Sequence, residues 1–85
     1  MSRASGAADR EVPVQRLPVS LGAFLKLSGA VRSGGEAKER IVGGEVRVND
    51  EVERRRSRPL DDGDRVTLGS LRLRVRGTPP TGGRA

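Results

Sequence analysis

The chain has 85 residues, enough for one small domain, and its 17 Lys and Arg outnumber its 11 Asp and Glu to give a net charge of +6. A domain of this size buries only about 60 to 65% of the surface of the unfolded chain, so a large enclosed active-site cavity is not expected. The positive charge favours a polyanionic partner, and 15 of the 17 cations are arginine, whose planar guanidinium donates two hydrogen bonds to one phosphate.

Several residue types are missing from the composition. The chain has no Cys and no His, which excludes disulfides, thiol nucleophiles, imidazole bases and the usual ligands of zinc and haem. We therefore expect no enzyme activity, no cofactor and no metal. Phe24 is the single aromatic residue, so an aromatic stacking platform for single-stranded nucleic acid is excluded as well.

No apolar run approaches the roughly 20 residues that span a bilayer, and the N-terminus lacks the apolar core of a signal peptide. We expect a cytoplasmic protein without a membrane partner.

Residues 1–11 and 77–85 are small, polar or rich in Gly and Pro, and both are predicted to be disordered tails around a single domain at residues 12–76. Residues 12–15, followed by Pro18, predict a short edge strand.

The first helix is predicted to begin after Ser20, a favourable N-cap residue. Leu21, Phe24 and Leu25 then follow at helical spacing and form one apolar face, and Lys26 falls outside that face. Gly29 is predicted to end the helix.

A second helix is predicted to begin at a capping box formed by Ser33 and Glu36, whose side chains would each accept a hydrogen bond from the other's backbone N–H. Ala37 and Ile41 then point inward at i and i+4, and Lys38 points outward. The glycine pair at residues 43–44 ends the helix.

After the second helix the apolar period changes to two. Val46–Val48 alternates apolar and basic side chains and predicts a strand, and Asn49 and Asp50 form a turn signal. A strict two-residue turn would place Val52 on the face opposite to the valines of this strand. We therefore expect a longer or bulged loop that returns Val52 to the apolar side.

A later hairpin is predicted around residues 69–70. Its apolar side chains share one face: Val66, Leu68, Leu71 and Leu73. Its polar side chains share the other: Arg65, Thr67, Arg72 and Arg74. The elements together predict an α+β fold of two short helices followed by a small, mainly antiparallel twisted sheet.

Three segments carry a family resemblance: Ser-Gly-Gly-Glu-Ala-Lys at residues 33–38, the helix end at 41–44 and Val-Arg-Val-Asn at 46–49. Their order resembles the small RNA-binding domain named after the fourth small-subunit ribosomal protein, also called the alpha-L motif. The resemblance covers roughly residues 18–76 and is greatest to the short, free-standing bacterial members. Asp50 departs from the Asn-Gly turn that is usual in the family.

The resemblance implies that RNA lies against the helix pair and the adjoining strand, which here places the contacts at Lys26, Arg32, Ser33, Lys38, Arg47 and Asn49. The first backbone N–H groups of the second helix, from Gly34 and Gly35, and its dipole also suit a phosphate. Three of these residues have a purely structural alternative: Ser33 acts only as a cap, and the two lysines belong to an ordinary solvated face.

The densest charge run follows that strand and contains four arginines within five residues: Arg54, Arg55, Arg56 and Arg58. We expect this run to contact nucleic acid, although such a run in isolation is usually a solvated loop. A further stripe of Arg72, Arg74 and Arg76 is assigned a structural or secondary role, because the acidic segment at residues 61–64 can neutralise part of it.

The sequence thus predicts a non-catalytic, monomeric, ribosome-associated protein that binds structured ribosomal or transfer RNA through phosphate and shape contacts. A non-specific DNA-binding protein and a protein-interaction adaptor remain as alternatives. An enzyme would need Asp61, Asp62 and Asp64 as metal ligands, but these residues surround a glycine turn that is more simply a connection between strands.

Overall fold

The computed structural model describes residues 9–77, which form two helices and seven strands. In chain order these are β1 (Arg10–Val14), β2 (Val19–Ser20), α1 (Leu21–Leu27), α2 (Gly34–Val42), β3 (Val46–Val48), β4 (Glu51–Val52), β5 (Pro59–Leu60), β6 (Arg65–Leu68) and β7 (Leu71–Gly77). Five strands form a sheet in the order β1-β7-β6-β3-β4, and β2 pairs with β5. Every pairing is antiparallel except that of β1 with β7. The predicted α+β class with a mainly antiparallel sheet is confirmed.

The hydrophobic core lies between the helix pair and one face of the five-stranded sheet. Its largest fully buried side chains come from both helices and from β5 and β7: Leu21, Phe24, Leu25, Ile41, Leu60 and Leu73. On β3, Val46 and Val48 face the core, so Arg47 between them points to the opposite face of the sheet. We call that opposite side the open face.

Both helices follow the sequence pattern. The Ser20 Oγ accepts a hydrogen bond from the Ala23 N–H at 3.3 Å, as its predicted N-cap role requires. The inward side chains Ala37 and Ile41 of α2 are fully buried, and Gly43 caps the C-terminus of this helix.

The capping box of α2 differs from the prediction in one half. The Ser33 Oγ accepts from the Glu36 N–H at 3.1 Å, as expected. The Glu36 Oε1, however, accepts from the Arg32 N–H at 2.8 Å, one residue earlier than the predicted donor. This hydrogen bond lowers the pKa of Glu36 and ties the linker between the helices to α2.

The connection between β3 and β4 is a strict two-residue turn, so the expected longer or bulged loop is wrong. Val48 pairs with Glu51, and Asn49 and Asp50 have φ values of 51° and 72°. Positive φ at both central residues is the requirement of a type I′ turn, and Asn and Asp tolerate it better than most side chains. Val52 is consequently 44% exposed. Because β4 is a two-residue edge strand, this exposure costs little buried area.

The later hairpin has the predicted register, with Leu68 opposite Leu71 and Val66 opposite Leu73. Gly69 adopts φ 63° in its turn, a value that glycine reaches without strain.

The predicted edge strand is present but begins earlier. β1 starts at Arg10 and runs parallel to β7, with Val12 and Val14 buried. Arg10 and Glu11, predicted to lie in a disordered tail, therefore belong to the sheet, because pairing with a strand some 60 residues away orders them. Gly77 likewise lies in β7. The remaining tail residues, 1–8 and 78–85, lie outside the described residues.

Candidate nucleic-acid interface

Several cations near the two helices form no salt bridge within residues 9–77. Lys26 lies on the exposed side of α1, Lys38 follows Gly34 by one turn of α2, and Arg32 lies just before α2. No salt bridge in the described structure involves any of the three. We refer to Lys26, Arg32, Lys38 and Arg56 as the helix surface, since Arg56 joins this group through the loop described next.

A buried carboxylate organises the arginine-rich loop at residues 53–58. The Glu53 side chain is only 11% exposed and accepts hydrogen bonds from the backbone N–H and Nε of Arg55 at 3.0 and 3.1 Å, and from Nη1 of Arg58 at 2.8 Å. The hydrogen bonds from Arg55 and Arg58 lower the pKa of Glu53 from 4.5 to about 2. Two of the four predicted contact arginines are therefore engaged in folding the loop.

The same loop is docked on the N-terminus of α1. The carbonyl oxygens of Arg58 and Arg56 accept hydrogen bonds from the N–H groups of Leu21 and Gly22 at 2.8 and 3.0 Å. A Cβ at position 22 would lie 2.5 Å from the Cγ of Arg56. Gly22 thus lets the Arg56 side chain pass directly over the helix, beside Lys26.

Arg54 lies elsewhere on the loop. Its Nη2 is 2.9 Å from where a Cβ at Gly44 would stand, just beyond the C-terminus of α2. A guanidinium there also complements the negative end of the helix dipole.

A shallow cavity of about 310 Å³ opens where α1, the first residue of α2 and the loop meet. Its lining includes Gly22, Ala23, Lys26, Gly34, Arg56 and Ser57. The lining contains two cations and no carboxylate. The local potential is consequently positive.

The N-terminus of α2 forms one edge of this region. The Ser33 hydroxyl is engaged as a cap. The N–H groups of Gly34 and Gly35 have no acceptor within the described residues. They remain able to donate to an anion at the cavity edge.

Arg47 and Asn49 lie apart from the helix surface. Arg47 shares the open face with Thr67, its cross-strand neighbour, and with Arg72. The predicted grouping of Arg47 with the helix-pair cations is therefore wrong, because strand alternation turns its side chain away from the core and the helices.

Asn49 holds the β3–β4 turn in place. Its Oδ1 accepts from the Arg65 N–H at 3.0 Å, and its Nδ2 donates to the Asp64 Oδ1 at 3.2 Å. The amide thus has a structural role within the chain.

Carboxylates neutralise part of the open face and its edge. Arg65 pairs with Asp50 and Arg74 with Asp9, each at 3.6 Å, and Arg76 pairs with Glu11 at 3.0 Å. Within residues 9–77, salt bridges thus engage three arginines of the sheet and none of the four cations of the helix surface.

The three aspartates at residues 61–64 serve the turn around Gly63. The Asp64 Oδ2 accepts from the Asp61 N–H at 2.8 Å, and the Asp62 Oδ1 accepts from the Gly77 N–H at 2.7 Å. Within residues 9–77 no group of three or more Asp and Glu side chains is arranged to hold a metal ion. In the same residues, neither helix has the length and apolar character needed to cross a membrane.

Replacing Glu53 with Gln is expected to lower the free energy of unfolding by about 1.5 to 3 kcal/mol at pH 7, because hydrogen bonds to a charged acceptor are lost. The side-chain NH2 group of Gln is itself a donor and would face the N–H donors of the arginines. Since the pKa of Glu53 is depressed when folded, its stabilisation is complete above pH 4.5 and declines as the pH falls towards 2. The difference in free energy of unfolding between wild type and variant, measured by urea unfolding, should become smaller as the pH falls from 4.5 to about 2. A constant difference between pH 7 and pH 2 would contradict the role of the ionised carboxylate.

The chain is similar to known proteins in family, in sequence and in structure. A family model described as the S4 domain matches residues 12–76. The Bacillus subtilis (strain 168) protein named "Probable ribosome maturation protein RlbA" is 48% identical over 50 residues, which cover 59% of this chain and 70% of that protein. The solution structure of YbcJ from E. coli, reported to reveal an alpha-L motif involved in RNA-binding, matches with a TM-score of 0.64 and 30% identity. That match covers 89% of this chain and 95% of YbcJ.

Proposed function

Since the chain belongs to the S4 domain family, we propose that it binds structured RNA through the helix surface, by phosphate and shape contacts. The observation that carries this proposal is a group of four cations that form no salt bridge within residues 9–77. Lys26 and Arg56 line a cavity whose lining has no carboxylate, and Arg32 and Lys38 lie just before α2 and in its first turns. Lysine and arginine that are not engaged by carboxylates are available to neutralise phosphates and release their counterions.

The chemistry of this surface suits double-helical RNA. The A-form helix has a wide, shallow minor groove that displays phosphates and 2′-hydroxyls, and these groups need donors rather than aromatic rings. The chain supplies guanidinium and ammonium groups and has one aromatic residue, Phe24, which is buried. This composition supports recognition of shape more than of base sequence.

Ribosomal RNA is the RNA that we propose. The named role of the B. subtilis relative in ribosome maturation supports this choice over transfer RNA. The reported RNA-binding motif of YbcJ supports RNA binding in general. In this proposal the protein acts without catalysis, as a monomer associated with ribosomal particles in the cytoplasm.

The salt dependence of binding tests the proposal. If about five phosphates are neutralised, the slope of log affinity against log salt concentration should be about −3.5 to −4.5. Fluorescence anisotropy with a labelled RNA duplex measures this slope. Affinity that does not change between low and physiological salt would contradict the phosphate mechanism.

Competition with unlabelled duplexes of equal length distinguishes RNA from DNA in the same assay. RNA should displace the labelled RNA more effectively than DNA, because only RNA presents an A-form groove lined with 2′-hydroxyls. Equal displacement would favour the non-specific DNA-binding alternative. Capture of a protein partner that survives nuclease treatment, together with no RNA binding, would favour the adaptor.

A further inference from the structure

The cavity on the helix surface has a preformed floor. α1 contributes the buried Gly22 and the exposed Ala23, and the methylene carbons of Arg56 pass close over Gly22. The backbone N–H groups of Leu21 and Gly22, the first residues of α1, donate hydrogen bonds to the loop and hold Arg56 in place. The floor is therefore made of carbon atoms on rigid elements.

The rim of the cavity has a different character from its floor. The polar groups of the cavity, which we call the rim, come from Lys26, Arg56, Ser57 and Gly34, and the lining contains no carboxylate. A ligand that fits such a site is flat and partly apolar, and it also carries a negative charge.

The volume of the cavity limits the class of ligand that it can hold. A cavity of about 310 Å³ lies at the lower end of the roughly 300 to 1,000 Å³ that is typical of small-ligand sites. A stack of base pairs is too large for this space, and a phosphate alone would leave the carbon floor uncovered. One nucleotide satisfies both requirements, because its base covers the floor and its phosphate reaches the rim.

We propose that this cavity holds a single unpaired nucleotide of the bound RNA, with the base against Ala23 and Arg56 and the phosphate near Lys26. The inference rests on the proposed function and deepens it: the preferred RNA is a helix interrupted by a bulged or looped-out nucleotide. Bases that have left the helical stack are known to stack on guanidinium planes.

The test compares two labelled RNAs with the same number of nucleotides. One duplex has an unpaired nucleotide in its centre, and the control duplex has the same extra nucleotide at one end, so both carry equal charge. Wild type should bind the centrally bulged RNA about tenfold more tightly, a difference of about 1.4 kcal/mol, because only this RNA places an unpaired nucleotide within the helix.

Ala23→Leu fills the floor without changing the charge of the protein. Ala23 is exposed on α1, and leucine is a good helix former, so the helix is expected to tolerate it. This variant should reduce the preference for the bulged RNA to less than about twofold while its affinity for the control duplex changes by less than about twofold, because phosphate contacts remain. Ser57→Leu, on the loop side of the cavity, provides a second filling variant should Ala23→Leu fail to fold.

Val42→Leu serves as the matched control, since Val42 is an exposed apolar residue at the far end of α2. It should retain the full preference. Equal binding of the two RNAs by wild type, or an unchanged preference in a folded cavity-filling variant, would overturn the inference and leave the proposed function intact. Failure of wild type to bind either RNA would overturn both.

Discussion

Replacing Lys26, Arg32 and Lys38 together with alanine is expected to weaken RNA binding about 50- to 150-fold at about 0.15 M salt, because each phosphate contact contributes about four- to fivefold through counterion release at that concentration. The three residues are exposed and form no salt bridge in the described structure. Anisotropy at fixed salt measures the loss, and circular dichroism verifies that the variant is folded.

The open face of the sheet offers a matched control. Replacing Arg47, Arg65 and Arg72 with alanine removes the same charge from the side opposite the helices. A diffuse attraction between a cation-rich protein and a polyanion would weaken equally in the two variants. We expect the factor by which affinity falls to be at least about tenfold smaller for the open-face variant than for the helix-surface variant. The open-face arginines are not the residues whose phosphate contacts orient the RNA. Equal losses in two folded variants would contradict a localised site.

Ile41→Ala is expected to lower the free energy of unfolding by about 2 to 4 kcal/mol, because it removes a buried aliphatic side chain and leaves a cavity. Ile41 is 0% exposed and belongs to the cluster that joins α2 to α1 and the sheet. A loss of this size is a large fraction of the roughly 5 to 15 kcal/mol by which small domains are stable. Urea or thermal unfolding measures the change.

Val42 provides the control for this substitution, since it is the next residue on the same helix and is 57% exposed. Val42→Ala should change the free energy of unfolding by no more than about 0.5 kcal/mol. Similar midpoints for the Ile41 and Val42 variants would show that the register of α2 is wrong.

Elements set by local contacts were predicted well. The Ser20 cap, the buried Ala37 and Ile41 of α2, and the register of the hairpin at residues 69–70 all depend on residues within a few positions of one another. Hydrogen bonds and side-chain pairs at such short spacing are specified by residue type and order alone. The family resemblance read from these local signals is likewise confirmed.

The β3–β4 turn shows where a sequence argument gave too much weight to one side chain. The apolar character of Val52 favoured a bulge, whereas the residues Asn49 and Asp50 favoured a tight turn. The turn residues prevailed, because the Asn49 amide bonds to the Asp64–Arg65 segment, which lies far away in the sequence. No local pattern contains that interaction.

The candidate site also combines features that local sequence signals predicted with features that depend on distant contacts. Counting charge identified the arginine run, and the alternation of Val46–Val48 already contained the signal that Arg47 faces away from the helices. The neighbouring Glu53 was a further signal, but only the closed loop shows that its carboxylate engages Arg55 and Arg58 and leaves Arg56 beside α1.

Residue type and order were enough to predict the class of the domain, its basic character, its two serine N-caps and the hairpin at residues 69–70, because these depend on composition and on near neighbours. Tertiary structure alone decided the parallel pairing of β1 with β7 and the cavity that joins Ala23, Gly34 and Arg56. Those features bring together segments separated by tens of residues, and their contacts form only when burial of the common core offsets the entropy of closing the chain between them.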